Sequence, residues 1–486
     1  MMKQIDDFLN NITMYRLVLY FLILLAGVGL IYSIAGVLPF DPINYVFSFT
    51  FLLVVSGIAN LVFAKVFEAQ ANVESWIISA LILGLIIAPP KTFSDVIFIG
   101  WAAVLMVTSK FVLAIGKKHI FNPVALSVAV TALVIGGTAN WWVGNVAFLP
   151  IVVIGGFLIV RKIKRWDLVL SFLIAALILI GPTRWVRSVN DTPLIFFAMI
   201  MLTEPLTTPP TKTLRIIYGV LVGLLFAPQI HIGSFYTTPE IALIFGNIFS
   251  YIVSPKYKLV LTLRQKIKLT PDTYDFVFWP DRKINFAAGQ YMEWTLEHES
   301  SDARGNRRYL SLASSPTERE VRIGVKVGFP PSTFKKKLIA LVPGQKIVAG
   351  QLIGDFTMPF DKNKKLVLIA GGIGITPFRS IIKYLVDKNE KRDIVLIYTA
   401  SNQSDFVYRD VFGQARDILG IKTIYIDSKT QGHIDAAKLS REIPDCKDRT
   451  FYISGSHGVV SAFENILKQL QIPRNQIVTD YFPGFA

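Results

Sequence analysis

Four groups of residues have types and spacings that could do chemistry. Gly371-Gly372-Ile373-Gly374-Ile375-Thr376-Pro377 is a glycine-rich turn. Between a strand and a helix, such a turn lets a dinucleotide pyrophosphate approach the backbone. Pro330-Pro331-Ser332-Thr333 opens a predicted helix, where free backbone N–H groups bind phosphate; a plain N-cap would use the same residues. Arg308 lies three positions before Ser311 on an alternating run. Its guanidinium fork suits an oxyanion, and a surface arginine on a strand is the bland alternative. Glu204 lies in a stretch apolar enough to be membrane-embedded. An acid there is a functional-site hypothesis by default, unless it sits solvated at the interface.

The first three groups need a scaffold of strands. From Tyr257 the chain turns to short alternating runs, Tyr257–Leu269, Thr273–Trp279, Gln290–Leu296, Tyr309–Ala313 and Val321–Val327, the pattern of an antiparallel β-barrel. Strand and helix patterns then alternate: strands at Lys365–Ala370, Ile394–Thr399, Thr423–Ile426, Thr450–Ser454 and Ile477–Thr479, helices at Pro377–Val386, Val411–Leu419 and Val459–Leu470. That alternation implies a doubly wound α/β sheet with parallel strands. The expected division is residues 1–255, 256–361 (barrel) and 362–486 (nucleotide domain).

Glu204 needs a different setting. The 486 residues are 52% hydrophobic with a mean hydropathy of +0.49. Through Pro255 there are 15 Lys/Arg and 10 Asp/Glu, against 35 and 24 beyond it. A helix needs about 20 apolar residues to cross the hydrocarbon. Candidates are Tyr15–Val37, Tyr45–Phe67, Trp76–Ala88, Val96–Ile115, Val146–Val160, Leu168–Ile180, Leu214–Phe226 and Ile241–Val253, with shorter, interrupted segments at Pro123–Ile135 and Pro193–Thr203. This predicts a polytopic α-helical membrane domain with about ten spans or part-spans. Lys65, Lys117-Lys118 and Arg161–Arg165 fall on alternate loops, which the positive-inside rule places in the cytoplasm. Both termini of a multi-pass protein in the cell membrane are then cytoplasmic; Arg184 and Arg187 fall on the opposite side.

The interruptions, Asn122-Pro123 and Glu204-Pro205-Leu206-Thr207-Thr208-Pro209-Pro210, read as broken helices. Irregular backbone at membrane depth is buried or lines a cavity, so the two are expected to meet near the midplane as a pocket for an electron carrier. Thr207 and Thr208 would offer hydroxyls there, and Glu204 would accept or relay a proton. A pair of ordinary interhelical loops is the alternative.

Other classes fall away. The net charge of +16 fits basic faces beside anionic lipid, and no recognised motif points to nucleic acid. Cys446 is the only cysteine, which excludes a disulfide within the chain and a cysteine-ligated cluster. Only His119 and His231 of the five histidines precede residue 256, too few for two bis-His haems. No metal site is expected.

Residues 257–486 resemble the ferredoxin–NADP reductase family. Its Arg-x-Tyr-Ser flavin motif is matched by Arg308-Tyr309-Leu310-Ser311, with leucine at the tyrosine position. The resemblance implies FAD. Arg308 would neutralise its phosphate, Ser311 would lie near N5, and Val325-Lys326 followed by Ser332-Thr333 would form the second flavin element. It also implies NAD(P)H on Gly371, Gly372, Gly374, Thr376 and Pro377, with Thr376 touching nicotinamide. Gly455 and Ser456 match a further nicotinamide element, in which Ser454 replaces a cysteine, and Phe485 or Tyr481 would cover the flavin. Ser311, Thr376 and Phe485 are thus the expected catalytic contacts. Asn402 in Ser401-Asn402-Gln403-Ser404-Asp405 resembles the NADH-using pattern, while Arg409 leaves NADPH open.

Most of residues 15–255 resemble the D subunit of the Rnf complex and the B subunit of the sodium-pumping NADH:quinone reductase. The matching stretches are Thr203-Glu204-Pro205-Leu206-Thr207-Thr208-Pro209, Tyr218–Gly223 and Phe121–Ala125. The family's Ser-Gly-Ala-Thr attachment motif is absent, so the implied membrane flavin, FMN or riboflavin, would be non-covalent. The expected function is a membrane oxidoreductase passing electrons from NAD(P)H through FAD to a membrane flavin, a quinone or a partner subunit, with ion coupling open. A transporter or channel with a redox-sensing NAD(P)H/flavin domain is the alternative.

Overall fold

The computed structural model describes residues 2–10, 12–67, 73–115, 118–181, 193–227, 229–232, 235–254, 258–298, 302 and 305–480. Lys117, Arg184, Arg187, Tyr481 and Phe485 lie outside them. The chain divides into two compact units, Met1–Tyr257 and Lys258–Ala486.

The N-terminal unit is helical. Its main helices are α1 (Met2–Asn10), α2 (Met14–Ile34), α3 (Pro42–Val66), α4 (Val73–Ile86), α5 (Phe93–Val112), α6 (Pro123–Ile135), α7 (Leu149–Ile163), α8 (Trp166–Ile180), α9 (Leu194–Phe196), α10 (Lys212–Phe226) and α11 (Pro239–Val253). Their starts are written in the sequence. Thr13 caps α2, Asp41 caps α3 ahead of Pro42, and Thr92 with Asp95 closes a reciprocal capping box on α5. Four helical stretches among the described residues are long and apolar enough to cross a membrane: Met14–Ile34, Pro42–Val66, Phe93–Val112 and Val146–Ile163. The sequence expectation was about ten. Helices α6, α8 and α11 have 13, 15 and 15 residues, a rise of roughly 20 Å at 1.5 Å per residue against a core of about 30 Å. After α9 the backbone winds into a π-helix over Phe197–Met201, a geometry that favours functional sites. Asn122-Pro123 is the capped start of α6 and not a break within a helix, whereas Glu204–Pro210 is non-helical; Asn122, Pro123, Thr207 and Thr208 are buried.

The C-terminal unit opens with β1 (Leu259–Thr270), β2 (Thr273–Pro280), β3 (Tyr291–Thr295), β4 (Arg307–Ser311) and β5 (Val321–Lys326), then α12 (Thr333–Ala340) and β6 (Lys346–Ile353). These strands pair antiparallel in the order β4-β3-β6-β1-β2-β5. The expected barrel is not closed: β4 and β5 are edges with no ladder between them. Ala313 N–H to Arg322 O at 2.8 Å and Arg322 N–H to the Ser314 hydroxyl at 3.1 Å bridge the chain just past β4 to β5. Strand β6, which the alternation did not single out, lies at the centre of the sheet. Trp294, Phe276, Phe278 and Phe334 fill the space under it.

The rest alternates: β7 (Leu366–Gly371), α13 (Thr376–Lys388), β8 (Ile394–Ala400), α14 (Arg409–Leu419), β9 (Lys422–Asp427), α15 (Ala436–Glu442), β10 (Thr450–Ser454), α16 (His457–Gln469) and β11 (Ile477–Asp480). The strands are all parallel, in the order β9-β8-β7-β10-β11. Central β7 is buried along its whole length, as a strand covered on both faces must be, and the glycine-rich turn leaves its C-terminal end.

Candidate cofactor site and a polar cluster in the helical unit

Alternation along β4 sorts its motif residues. Arg308 and Leu310 share one face and Tyr309 and Ser311 the other; Arg308 and Ser311 are buried. The Arg308 guanidinium lies 5.0 Å over the Phe334 ring in the first turn of α12. The phosphate-suited arginine and the phosphate-suited helix start are therefore neighbours. Ser332 caps α12, its hydroxyl accepting from Lys335 N–H at 3.3 Å. Asp302, which sequence reasoning passed over, accepts the Thr333 N–H at 3.0 Å, and His298 Nε2 lies 2.9 Å from the Thr333 hydroxyl.

At the turn, Gly372 has φ +54°, a conformation L side chains rarely adopt, and a Cβ there would meet nothing within 4 Å. The backbone therefore faces open space, as pyrophosphate approach requires. A Cβ on Gly374 would fall 2.4 Å from Ser454 O and 2.6 Å from Gly455 Cα. That close approach brings the turn and the Gly455-Ser456 segment side by side. Ser456 caps α16, and Thr376 donates its hydroxyl to Ile373 O at 3.1 Å.

The other expected contacts have these surroundings. Val325 faces the core, while Lys326 pairs with Asp272 at 3.2 Å and Asp405 at 3.6 Å. Asn402 is exposed past β8. Arg409 lies 5.0 Å over the Tyr425 ring, and burial raises the Tyr425 phenol above its ordinary range although Arg409 opposes it.

In the helical unit the two interruptions meet. Asn122 Nδ2 donates to Glu204 Oε2 at 2.9 Å, the Thr207 hydroxyl to the same oxygen at 3.2 Å, and His119 Nε2 lies 3.2 Å from Oε1. The Asn122 side chain caps α6. Its backbone N–H donates to Asn247 at 2.7 Å, and Asn247 in turn donates to the Tyr218 hydroxyl at 3.0 Å. Thr208 bonds only locally, to Pro205 O at 3.3 Å. A cavity of about 80 Å³ adjoins the cluster, lined by Tyr15, Ser75, Ser79, Ile163, Asn122 and Glu204 among others. Lys110, not foreseen from the sequence, donates to both Ser75 and Ser79. The cavity touches the first turns of α2 and α4 and the last turn of α7. It therefore lies at the ends of α2 and α7, on the side of the Arg161–Arg165 loop, and runs along α4 to its middle at Ser79 and Ile82.

Comparison with known proteins bears on the C-terminal unit. Residues 368–464 match the family described as oxidoreductase NAD-binding domain. The C-terminal unit thus carries a segment similar to an oxidoreductase NAD-binding domain. It is similar to flavohemoprotein A of Dictyostelium discoideum, 26% identical over 45% of this chain and 58% of that one. The flavohemoprotein of Oceanobacillus iheyensis is 28% identical over 45% and 57%. An NADPH oxidoreductase of Mycobacterium tuberculosis is 27% identical over 38% and 49%. The chain thus spans roughly half the length of these relatives. Among solved structures, the flavohem-like FAD/NAD binding domain of nitric oxide dioxygenase from Vibrio cholerae O1 biovar El Tor aligns with a TM-score of 0.42 at 23% identity. It covers 46% of this chain and 98% of that one.

Proposed function

We propose that the chain is a membrane-bound, flavin-dependent NAD(P)H oxidoreductase that delivers electrons to a carrier held by its helical unit. The observation that carries this reading is local. Arg308, the start of α12 and the open turn at Gly372 lie in one compact unit, in the order that the reductase resemblance implies. Arg308, Ser332 and Thr333 would hold FAD phosphates, and Ser311 would face the ring. Gly371, Gly372, Gly374, Thr376, Pro377, Gly455 and Ser456 would hold NAD(P)H. Bound flavin supplies the conversion of a two-electron hydride into single electrons. The protein's task is to bind, orient and exclude water.

In the helical unit, Glu204 with His119, 3.2 Å apart, would move a proton beside the cavity as a carrier there is reduced. A cavity of about 80 Å³ holds roughly half a dozen waters at 10–15 Å³ each. That favours a single quinone ring over a three-ring flavin.

Purified full-length protein decides the matter. It should retain FAD and consume NADH steadily with an artificial acceptor. Protein that takes up no FAD would end the reading, and a single turnover followed by arrest would favour a redox sensor.

A further inference from the structure

A chain of buried and half-buried charges joins the two sheets of the C-terminal unit. Asp275 on β2 is 1% exposed. Its Oδ1 accepts from the Tyr408 hydroxyl at 3.2 Å and its Oδ2 from Arg322 on β5 at 3.1 Å. Arg322 Nε lies 3.8 Å from Glu318. Arg379 on α13 grips Glu318 with both terminal guanidinium nitrogens, Nη1 to Oε2 and Nη2 to Oε1, the latter at 2.9 Å. Glu318 also accepts the Ser315 N–H at 2.7 Å. Arg379 donates to Ala313 O at 2.9 Å and lies 5.7 Å over the Tyr408 ring. Next to it, Ser380 donates to Ser314 O at 2.6 Å. A Cβ on Gly324, the register partner of Asp275, would fall 2.6 Å from the Tyr408 hydroxyl and 2.7 Å from Thr376 Cγ2.

Buried ion pairs of this kind are weak sources of stability, since their desolvation offsets their attraction. Their geometry is another matter. Ala313 is two residues past Ser311, and Arg379 is three past Thr376. Tying Arg379 to Ala313 and Glu318 therefore ties the expected nicotinamide turn to the expected flavin strand. Tyr408 repeats the tie from the loop after β8. Burial pushes the Glu318 carboxyl up, but Arg379 and the Ser315 N–H outweigh it and hold Glu318 below its ordinary range. Burial raises Asp275, and Arg322 and Arg379 offset this only in part.

We propose that Asp275, Arg322, Glu318, Arg379 and Tyr408 form a positioning network that fixes the Gly371–Pro377 turn against β4 and so sets the nicotinamide-to-flavin approach. The proposal rests on the FAD and NAD(P)H reading above. Reacting atoms must come within about 3–3.5 Å, and a misplacement of about 1 Å costs on the order of 100-fold in rate.

The test uses full-length protein with Glu318→Gln and, as a milder change that keeps the ring, Tyr408→Phe. In flavin-free protein, amides of α13 and β5 should exchange hydrogen faster in both variants. In flavin-loaded protein under anaerobic conditions, NADH should bind within twofold of the wild-type affinity. The limiting rate of flavin reduction should fall roughly 10- to 100-fold, with loss of long-wavelength nicotinamide–flavin absorbance. Variants that match wild type in exchange, rate and absorbance overturn the proposal alone. So do variants that lose affinity in place of rate. Wild-type protein that takes up no FAD overturns the underlying reading and this proposal with it.

Discussion

Asp302 places a carboxylate on the Thr333 N–H at 3.0 Å, the amide a flavin phosphate would use. Phosphate and carboxylate compete for one donor and repel each other. Asp302→Asn should therefore tighten FAD severalfold in equilibrium titration of apoprotein, and unchanged affinity would remove Asp302 from the site. Arg308 acts in the opposite direction. It stands beside the start of α12 and would contribute a charge-assisted bond of about 1.5–3 kcal/mol. Arg308→Ala should weaken FAD by about one to two orders of magnitude in the same titration. Retention at wild-type strength would assign the phosphate to another group.

Elements are fitted to one another most tightly where the turn after β7 meets the end of β10. A methyl at position 374 would fall 2.4 Å from Ser454 O, and backbone cannot swing aside as a side chain can. Gly374→Ala should therefore lower stability by about 1–3 kcal/mol, read as a lower unfolding midpoint, together with weaker NAD(P)H binding. An unchanged midpoint would mean that the turn moves freely. At the opposite end of this sheet, Asp445 pairs with Lys365 at 3.0 Å and with Arg449 at 2.7 Å, and Arg449 reaches Asp393 at 2.7 Å. The Arg449 hydrogen bond, then Lys365, hold the Asp445 carboxyl down at about 2. A depressed carboxylate contributes stability above its ordinary pKa and loses it as pH falls through the folded value. Asp445→Asn should flatten the decline in stability between about pH 4 and 2. The effect is small, because the pair is partly exposed to solvent; a wild-type slope in the variant would discount the pair.

Across the whole molecule, the proposed reading divides the labour between the two units in a way one substitution can separate. Glu204 holds its partners through His119, Asn122 and Thr207 and lies in the unit that does not carry the reductase domain. Glu204→Gln should slow electron delivery to the native acceptor in membranes several-fold while NADH-to-dye activity stays at the wild-type level. Equal native-acceptor rates would deny Glu204 a role. A loss of both activities would point to a folding defect. The four helical stretches long enough to span anchor this expectation, and the interruptions around the cluster lie at the start of α6 and between α9 and α10.

What depends on near neighbours is legible along the chain. Alternation marked five strands of the first sheet, the β-α rhythm marked the parallel sheet, and proline beside polar residues marked Asn122-Pro123 and Glu204–Pro210 as breaks. These signals are local because side-chain period and backbone preference act over a few residues. Tertiary structure decided what depends on distant pairing. Strand β6 finds its place only between β3 and β1, and the first sheet stays open because its edge strands form no ladder. The meeting of Glu204 with Asn122, 82 positions away, was expected from the two breaks, but His119, 85 positions away, joins them only in the fold. Lys110 meets Ser79 across 31 positions, and Tyr408 reaches Asp275 across 133. No spacing encodes such partners. They are chosen when apolar burial brings the elements together and leaves each buried polar group to be satisfied by whatever donor or acceptor the packing sets beside it.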